Sequence, residues 1–558
     1  MLLNGSQIIL ECLLEQGVDT VFGYPGGAVL NIYDALYDYR DKITHILTSH
    51  EQAASHAADG YSRTTGKTGV VIATSGPGAT NLVTGLATAY MDSIPMVAIT
   101  GNVTTSLLGL DSFQEVDITG ITMPITKHNY IVKDVTKLAD VIREAFFIAN
   151  DGRKGPVLID IPKDITAATC EYKPEALVTH SYKVDENEIM SAAELISKAE
   201  KPFIYAGGGV VSCDAVEELA EFAELIDAPV SLSLMGQCAF DNSDRRYTGM
   251  LGMHGTKASS LALTECDLMI VLGSRFSDRV TCNAGTFRQA AEKANILHID
   301  IDPAEVNKNI IADYKVCGNV KIVLQKLNKL IENKNHSEWM DRIIEWKDTY
   351  PLCQVSEEPD DVLPQEVIET LEELTNGEAI VSTEVGQHQM WTAEFYNFRN
   401  PRSFASSGGL GTMGYGLGAA IGCKVGNPDK VVVNCAGDGS FYMNMNELTT
   451  LAKYQLPVIE LVFNNSVLGM VRQWQKLFYN NHFSQTTLEK PTDFELLAKA
   501  IGIESFTIKK KCDIRPVLEK AISLNKPVLI NCIIDKDIKV LPMVPAGASI
   551  AEPILEIK

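Results

Sequence analysis

Short runs of Val, Ile and Leu recur along the whole chain, each separated from the next by a stretch with helical periodicity. GVVIAT (69–74), MVAIT (96–100), PVLIDI (156–161), FIYAGG (203–208), LMIVLG (268–273), ILHIDI (296–301), KVVVNCA (430–436), VIELVFN (458–464) and PVLINCII (527–534) lack the apolar–polar alternation of a half-exposed strand. Strands that are apolar on both faces belong to parallel sheets covered by helices on each side. The chain therefore reads as α/β, built from doubly wound parallel-sheet domains. Its 558 residues suffice for about three of them. Two stretches break the pattern, 167–187 and 331–364, the second carrying Pro351, Pro359 and Pro364. Both are polar and read as linkers or surface connections. The expected domains are 1–166, 188–330 and 365–558. No internal sequence repeat and no low-complexity segment is visible.

Charge and cysteine usage exclude several classes. Lys and Arg total 48 against 71 Asp and Glu, a net charge of −23. Such a surface repels phosphate backbones, which argues against a nucleic-acid binder but leaves room for a local cationic pocket. No apolar run reaches the ~18–20 residues of a membrane span. The N-terminal MLLNGSQIILECLLEQGVDT has no basic residue before its apolar ones and is interrupted by Glu11 and Glu15. It reads as the first helix of a domain and not as a signal peptide. The cysteines are scattered from Cys12 to Cys532 without a Cys-x-x-Cys pair. That suggests free thiols in a reducing cytoplasm, with no disulfide framework and no zinc site.

The strongest motif is Gly437-Asp438-Gly439-Ser440, with Asn465 of an Asn-Asn pair 27 residues after Asp438. A strand (430–436) ends at the first element, a helix (443–455) is expected next, and a second strand (458–464) ends at Asn465. This is one βαβ crossover. It puts both motifs at the carboxyl edge of neighbouring parallel strands, where open α/β sheets bind ligands. Asp438 offers a hard anionic oxygen and Asn465 a neutral one. The glycines admit a diphosphate close to the backbone. Mg²⁺ suits such a site, because phosphate and water complete its few protein ligands. Either dipeptide alone is an ordinary turn; the spacing and context point to a metal–diphosphate site.

Four further elements follow or flank expected strands. Glu51 follows a strand (43–48) and opens a helix, where a lone Glu ordinarily complements the helix dipole. TSGPGATN (74–81) places a Gly-rich turn after the strand 69–74, along the same expected edge as Glu51. The run Gly408 to Gly416 is too rich in glycine for an independent helix and reads as a loop whose backbone meets a ligand; VSTEVGQHQMW (381–391) precedes it. Gly207-Gly208-Gly209 follows the strand 203–206 and looks like a dinucleotide turn, a signal that taken alone is equally structural.

Together these residues resemble the signature of thiamine-diphosphate enzymes. FGYPGGAVL (22–30), SHEQAASHAADGYSR (49–63), DSFQEVD (111–117), GPVLIDIPKD (155–164), MLGMHGT (250–256), GSRFSDRVT (273–281), GQHQMW (386–391), GLGTMGYG (409–416), GDGSF (437–441) and LGMVRQWQ (468–475) narrow the resemblance. They are similar to the acetohydroxyacid synthase (acetolactate synthase) catalytic-subunit family, in family order along nearly the whole chain.

The resemblance implies a pyrimidine-binding domain, a central FAD-binding domain and a diphosphate-binding domain. It implies an active site between the first domain of one subunit and the third of another, in a homodimer or dimer of dimers. Glu51 would hydrogen-bond the aminopyrimidine and favour the tautomer that accepts the thiazolium proton. The rest of the implied cofactor site is Gly386, Gln387, His388, Met413, Gly437, Asp438, Gly439, Ser440, Asn465, Gly469 and Met470. Met413 would hold the cofactor bent, and Asp438, Asn465 and Val467 would ligate Mg²⁺. Gln114, beside Phe113, would face the reacting centre, with Lys163 at the entrance. Arg279 would meet the carboxylate of the acceptor acid and Trp474 would wall its side-chain pocket.

FAD without a redox part in the main reaction would meet Arg153, Gly207, Gly208, Met253, His254, Gly273, Arg275 and Asp300. Ser277 and Asn319 depart from the family, which usually has Asp at each. Thr104, Gly418 and Ala546 replace common prolines.

The implied reaction decarboxylates pyruvate and joins its two-carbon unit to pyruvate or 2-ketobutyrate, giving 2-acetolactate or 2-aceto-2-hydroxybutyrate. This serves valine, leucine and isoleucine biosynthesis, in partnership with a separate small regulatory subunit. The rivals are a pyruvate-only catabolic acetolactate synthase, a pyruvate oxidase, and a non-catalytic homologue kept as a binding subunit. Intact Glu51, Asp438 and Asn465 speak against the last.

Overall fold

The Val- and Ile-rich runs are inner strands of three six-stranded parallel sheets in the computed structural model. Residues 1–556 are described apart from Thr179, Val355, Glu357 and Pro359, so one proline of the expected second connection lies outside the described residues. The first sheet runs Thr44–Leu47, Thr20–Tyr24, Gly69–Ala73, Met96–Asn102, Pro156–Pro162, His128–Ile131. The third runs Phe404–Ala405, Ile380–Thr383, Val432–Gly437, Val458–Asn464, Val528–Ile533, Glu504–Ile508. Numbered within its own sheet, each has the order 2-1-3-4-6-5. The chain thus holds a duplicated topology that its residue identities do not display as a repeat.

The middle sheet is different. It runs Tyr247–Met250, Val230–Leu232, Pro202–Ala206, Leu268–Leu272, Asn295–Asp300, Tyr314–Cys317, which is 3-2-1-4-5-6. That is the order of dinucleotide-binding sheets, whose ligands sit where the winding reverses.

Three local expectations need correction. The helix expected over 443–455 is broken into Asp438–Asn444, a 3₁₀ turn Met445–Glu447, and Leu448–Tyr454. At the break, the buried Asn444 amide donates to the distant Gly414 carbonyl, tying the end of the first helix to the 408–416 loop. The stretch 167–187 is not only a connection: Thr169–Glu171 pairs antiparallel with Leu2–Asn4, which carries the first unit past 166. The stretch 331–364 contains the helix Ser337–Thr349, which buries Trp339, Met340 and Ile343 and so carries the central unit past 330. Trp339 Nε1 donates to the Pro202 carbonyl at 2.9 Å. The polarity of that stretch is the outer face of an amphipathic helix. Pro364 opens the helix Pro364–Thr375, where its missing N–H costs nothing.

The first and third domains join through helices that hold the same place in their shared topology. Glu51–Thr65 and Gly416–Gly426 each cross from the second strand of the sheet to the third, and they lie face to face. A Cβ on Gly60 would stand 2.2 Å from the Ala419 carbonyl oxygen, and one on Gly422 1.8 Å from that of Ala57. Arg63 is buried in this interface between Asp59 (2.5 Å) and Asp92 (2.9 Å), and Tyr415 donates to Asp59 at 2.6 Å. Such a buried cation is tolerable only because it is fully paired. One apolar core therefore runs from Phe22 and Val71 in the first sheet to Val432 and Val462 in the third.

Candidate active site

In the third domain the winding reverses between Ile380–Thr383 and Val432–Gly437. The first of these strands leads to Gly386, Gln387 and His388, where the helix Gln387–Phe395 begins; the second leads directly to Asp438, Gly439 and Ser440. The neighbouring strand Val458–Asn464 ends beside them at Asn465. Asp438 is buried, which pushes its carboxyl up to about 6, while the N–H groups of Gly439, Asn465 and Ser466 pull the other way. The expected ligand pair therefore meets. Asn465 Oδ1 accepts from the Val467 N–H at 3.1 Å, and Val467 is buried and bridged to Thr487. Among the described residues no cluster of three or more His, Cys, Asp or Glu could hold a metal. One carboxylate and one amide suit Mg²⁺ only when phosphate and water complete the shell.

The cradle around this pair depends on missing side chains. A Cβ on Gly437 would lie 2.6 Å from His388 Nδ1, and one on Gly469 would lie 1.9 Å from Gln387 Oε1 and 3.1 Å from Asn465 Nδ2. Gln387 donates to Gln473 Oε1 and to the Ile538 carbonyl, both at 3.0 Å. Its Oε1 and the Nε2 of His388 are buried without a hydrogen-bond partner. Burial holds His388 down at about 3, so the ring is neutral. Ser440 Oγ donates to the Val385 carbonyl at 3.1 Å. Unsatisfied buried polar atoms beside two helix starts are what an absent polar ligand would satisfy.

Met413 lies over the same edge, its Cε 3.9 Å from a Cβ placed on Gly439. The loop that carries it is pinned twice. Asp92 of the first domain accepts from the N–H groups of Gly408 (3.1 Å) and Gly409 (2.7 Å). Glu384 accepts from those of Gly414 (2.6 Å), Gly416 (2.9 Å) and Leu417 (3.3 Å). Neither acid stands out in the sequence. Each is lodged against backbone N–H groups of a distant segment, which leaves no local pattern.

The equivalent reversal in the first sheet holds the other expected residues. Glu51 opens its helix, and its Oε2 accepts from Asn81 Nδ2 at 2.9 Å. The turn before Asn81 passes through Gly76 at φ +61°, where a Cβ would sit 3.0 Å from Gln114 Cα. Glu51, that turn and Gln114 are thereby neighbours. Phe113 stands 87% exposed. Lys163 begins the helix Lys163–Ala167 after the strand Pro156–Pro162 on the same edge. Among the described residues, no hydrogen bond joins this edge to Asp438.

The remaining expected residues line one cavity of about 2150 Å³. At its centre the middle sheet reverses: the Gly207 N–H bonds the Leu272 carbonyl, and a Cβ on Gly207 would stand 2.4 Å from the Gly273 carbonyl oxygen. Gly208 and Arg275 also line it. Burial and the neighbouring Arg153 lower the Arg275 pKa, and Arg275 makes no ion pair among the described residues. An unpaired guanidinium beside a Gly-rich turn suits a pyrophosphate. Arg153 is already bound to Glu305 at 2.7 Å. Asp300, at the end of its strand, is raised to about 6 by burial. His254 is lowered to about 4 by burial, with its Nδ1 3.3 Å from the Pro542 carbonyl oxygen. Of the two departures, Ser277 lines the cavity, while Asn319 also caps the helix Val320–Leu330 through the Ile322 N–H.

The same cavity reaches Gly386, Met470, Arg279 and Trp474. Arg279 forms no ion pair among the described residues; its guanidinium donates to Met253 Sδ at 3.6 Å. The helix Gly469–Phe478 buries only Gln473, so Trp474 is half-buried against Phe478 and not a core aromatic.

Comparison with known proteins agrees with this arrangement. Residues 3–121 match the N-terminal TPP binding domain of thiamine pyrophosphate enzymes, 189–327 their central domain, and 384–532 their C-terminal TPP binding domain. The chain is 45% identical to a probable acetolactate synthase large subunit of Methanocaldococcus jannaschii, over 99% of this chain and 96% of the relative. It is 44% identical to the acetolactate synthase large subunit of Porphyra purpurea, covering 99% and 95%. It is 46% identical to an acetolactate synthase of Mycobacterium bovis, covering 98% and 90%. With three thiamine pyrophosphate domains in sequence and relatives this similar from end to end, the chain belongs to the acetolactate synthase large-subunit family of thiamine pyrophosphate enzymes.

Proposed function

We propose that this chain is the catalytic subunit of an acetolactate synthase. It converts two pyruvates to 2-acetolactate and CO₂, or pyruvate and 2-ketobutyrate to 2-aceto-2-hydroxybutyrate and CO₂. The observation that carries this reading is the edge where Asp438 and Asn465 meet beside the unsatisfied Gln387 Oε1 and His388 Nε2. When bound there, thiamine diphosphate supplies an acidic ring carbon and an electron sink.

The chain's own residues supply the rest. Asp438, the Asn465 amide and the Val467 carbonyl hold Mg²⁺ against the diphosphate. Gly437, Gly439, Ser440, Gly469 and Met470 would let the backbone close around it, and Met413 would pack against the cofactor from the same edge. Glu51 would hydrogen-bond the pyrimidine ring and hold the proton that passes to or from it. Gln114 and Phe113 shape the reacting centre, and Lys163 lies on the substrate's way in. Arg279 takes the carboxylate of the acceptor acid, and Trp474 contacts its alkyl group.

FAD fits the large cavity: the Gly207 turn admits its pyrophosphate, and Arg275 pairs with that charge. It stays outside the electron flow. The three units are 1–166, 188–330 and 365–558, extended by the strand and helix described above. As the family resemblance implies, each site takes Glu51 from a second copy, in a homodimer or dimer of dimers. The large-subunit names of the relatives support a separate small regulatory subunit. No helix among the described residues is long and apolar enough to cross a membrane, and free thiols support action in the cytoplasm.

The test is CO₂ release and acetolactate formation from pyruvate with thiamine diphosphate and Mg²⁺, repeated with 2-ketobutyrate added. Absence of both products overturns the proposal. Loss of the mixed product alone favours the pyruvate-only catabolic enzyme.

A further inference from the structure

We infer that Glu447 is a positioning residue for Glu51: its buried side chain holds the turn that aims Glu51 at the cofactor's pyrimidine ring. The inference rests on the reading of Glu51 given above.

Thr44–Leu47 is a strand and Glu51 is already helical, so the residues between them set where Glu51 points. The backbone of this turn is served from the third domain. The Ser49 N–H lies 3.1 Å from each oxygen of Glu447. The His50 N–H also faces that carboxyl. Ser49 Oγ is 2.7 Å from Thr449 Oγ1, and the Leu47 N–H donates to the Tyr454 hydroxyl at 2.8 Å. The first domain supplies Asn81 to the Glu51 carboxylate, while the helices after Asp438 supply the contacts that fix its backbone.

Glu447 is 0% exposed, and no Lys or Arg pairs with it among the described residues. Its other partners are the Thr450 hydroxyl at 2.6 Å and the Asn446 amide at 3.1 Å. A buried carboxyl without a cation is a poor general stabiliser. Its placement is explained by what it accepts, the N–H groups entering a helix, which otherwise have no intrahelical partner. Glu447 also closes the 3₁₀ turn that continues the helix begun by Asp438. One short segment thus carries the expected metal ligand at its start and the support of Glu51 at its end.

The test compares Glu447→Gln, Glu447→Ala and Glu51→Gln in the full-length protein. Amide hydrogen exchange of the peptide spanning 44–56 is read without cofactor. Calorimetry gives the affinity for thiamine diphosphate with Mg²⁺. Deuterium exchange at the thiazolium carbon of the bound cofactor is read by proton NMR after acid quench.

Loss of alignment by about an ångström costs on the order of 100-fold in a proton transfer. Glu447→Gln, which keeps one acceptor oxygen, should slow thiazolium exchange by roughly 10- to 100-fold and speed amide exchange in 44–56, leaving affinity within about twofold. Glu447→Ala should slow thiazolium exchange further. Wild-type thiazolium exchange in Glu447→Gln, with exchange abolished in Glu51→Gln, overturns the role of Glu447. So does a loss of exchange that merely follows a matching loss of affinity. Wild-type exchange in Glu51→Gln overturns the reading of Glu51 itself.

Discussion

Glu384 is enclosed by the backbone N–H groups of Gly414, Gly416 and Leu417, and burial pushes its carboxyl from 4.5 up to about 7 despite them. The raised pKa fixes the sign of its effect. Its contribution to stability is complete below the unfolded value near 4.5 and is lost as pH rises through about 7. Glu384→Gln removes this titration. Its thermal midpoint should therefore rise relative to wild type between pH 5 and pH 8, with a slope of at most ~1.4 kcal/mol per pH unit. Parallel midpoints across that window would show that Glu384 does not titrate there.

Trp474 makes the second residue-scale prediction. Pyruvate and 2-ketobutyrate differ by one methylene, whose burial alone is worth about 0.8 kcal/mol; a pocket that also packs against it discriminates by ~1–3 kcal/mol. Trp474→Leu should remove most preference for 2-ketobutyrate in mixed-substrate product ratios while pyruvate self-condensation survives. A constant ratio with a collapsed rate would mean that the indole only supports its helix. Asp438 and Asn465 stand out in the sequence because each follows a buried strand, and Glu51 because it opens a helix shortly after a strand. Asp92, Glu384 and Glu447 do not, because their partners are backbone groups far away in sequence.

Among elements, the paired helices Glu51–Thr65 and Gly416–Gly426 leave almost no room between their backbones. Gly422→Ala sets a methyl 1.8 Å from the Ala57 oxygen, a backbone atom that no rotamer change can move. Overpacking ordinarily costs ~1–3 kcal/mol, and a backbone clash belongs at the upper end. Gly27→Ala, which meets nothing within 4 Å, serves as the control. Thermal or urea unfolding should separate the two variants; equal stability would mean that the helices part easily. The inner strands could be read from their apolar runs. Edge strands such as His128–Ile131 and Glu504–Ile508 could not, since they are partly exposed and carry mixed residues. The helix Ser337–Thr349 was lost for a related reason: its polar outer face hides an apolar stripe of Trp339, Met340 and Ile343.

At the scale of the whole molecule, the first and third domains share one topology and meet through equivalent helices, yet their reversal edges hold different halves of the proposed site. Motif and spacing supplied both halves, and only the family resemblance spoke to whether two copies close them, because that depends on how domains and copies face each other. Mixing two inactive variants decides it. Glu51→Gln disables one half and Asp438→Ala the other. If each site takes its halves from two copies of a symmetric dimer, a hybrid dimer has one site with both defects and one site with neither. Random pairing makes half of the dimers hybrids, so equal mixing after subunit exchange should restore about a quarter of wild-type activity. If one chain closed its own site, every site in the hybrid would carry one defect and mixing would restore nothing. The measurement is acetolactate formation before and after exchange, with each variant alone as the baseline.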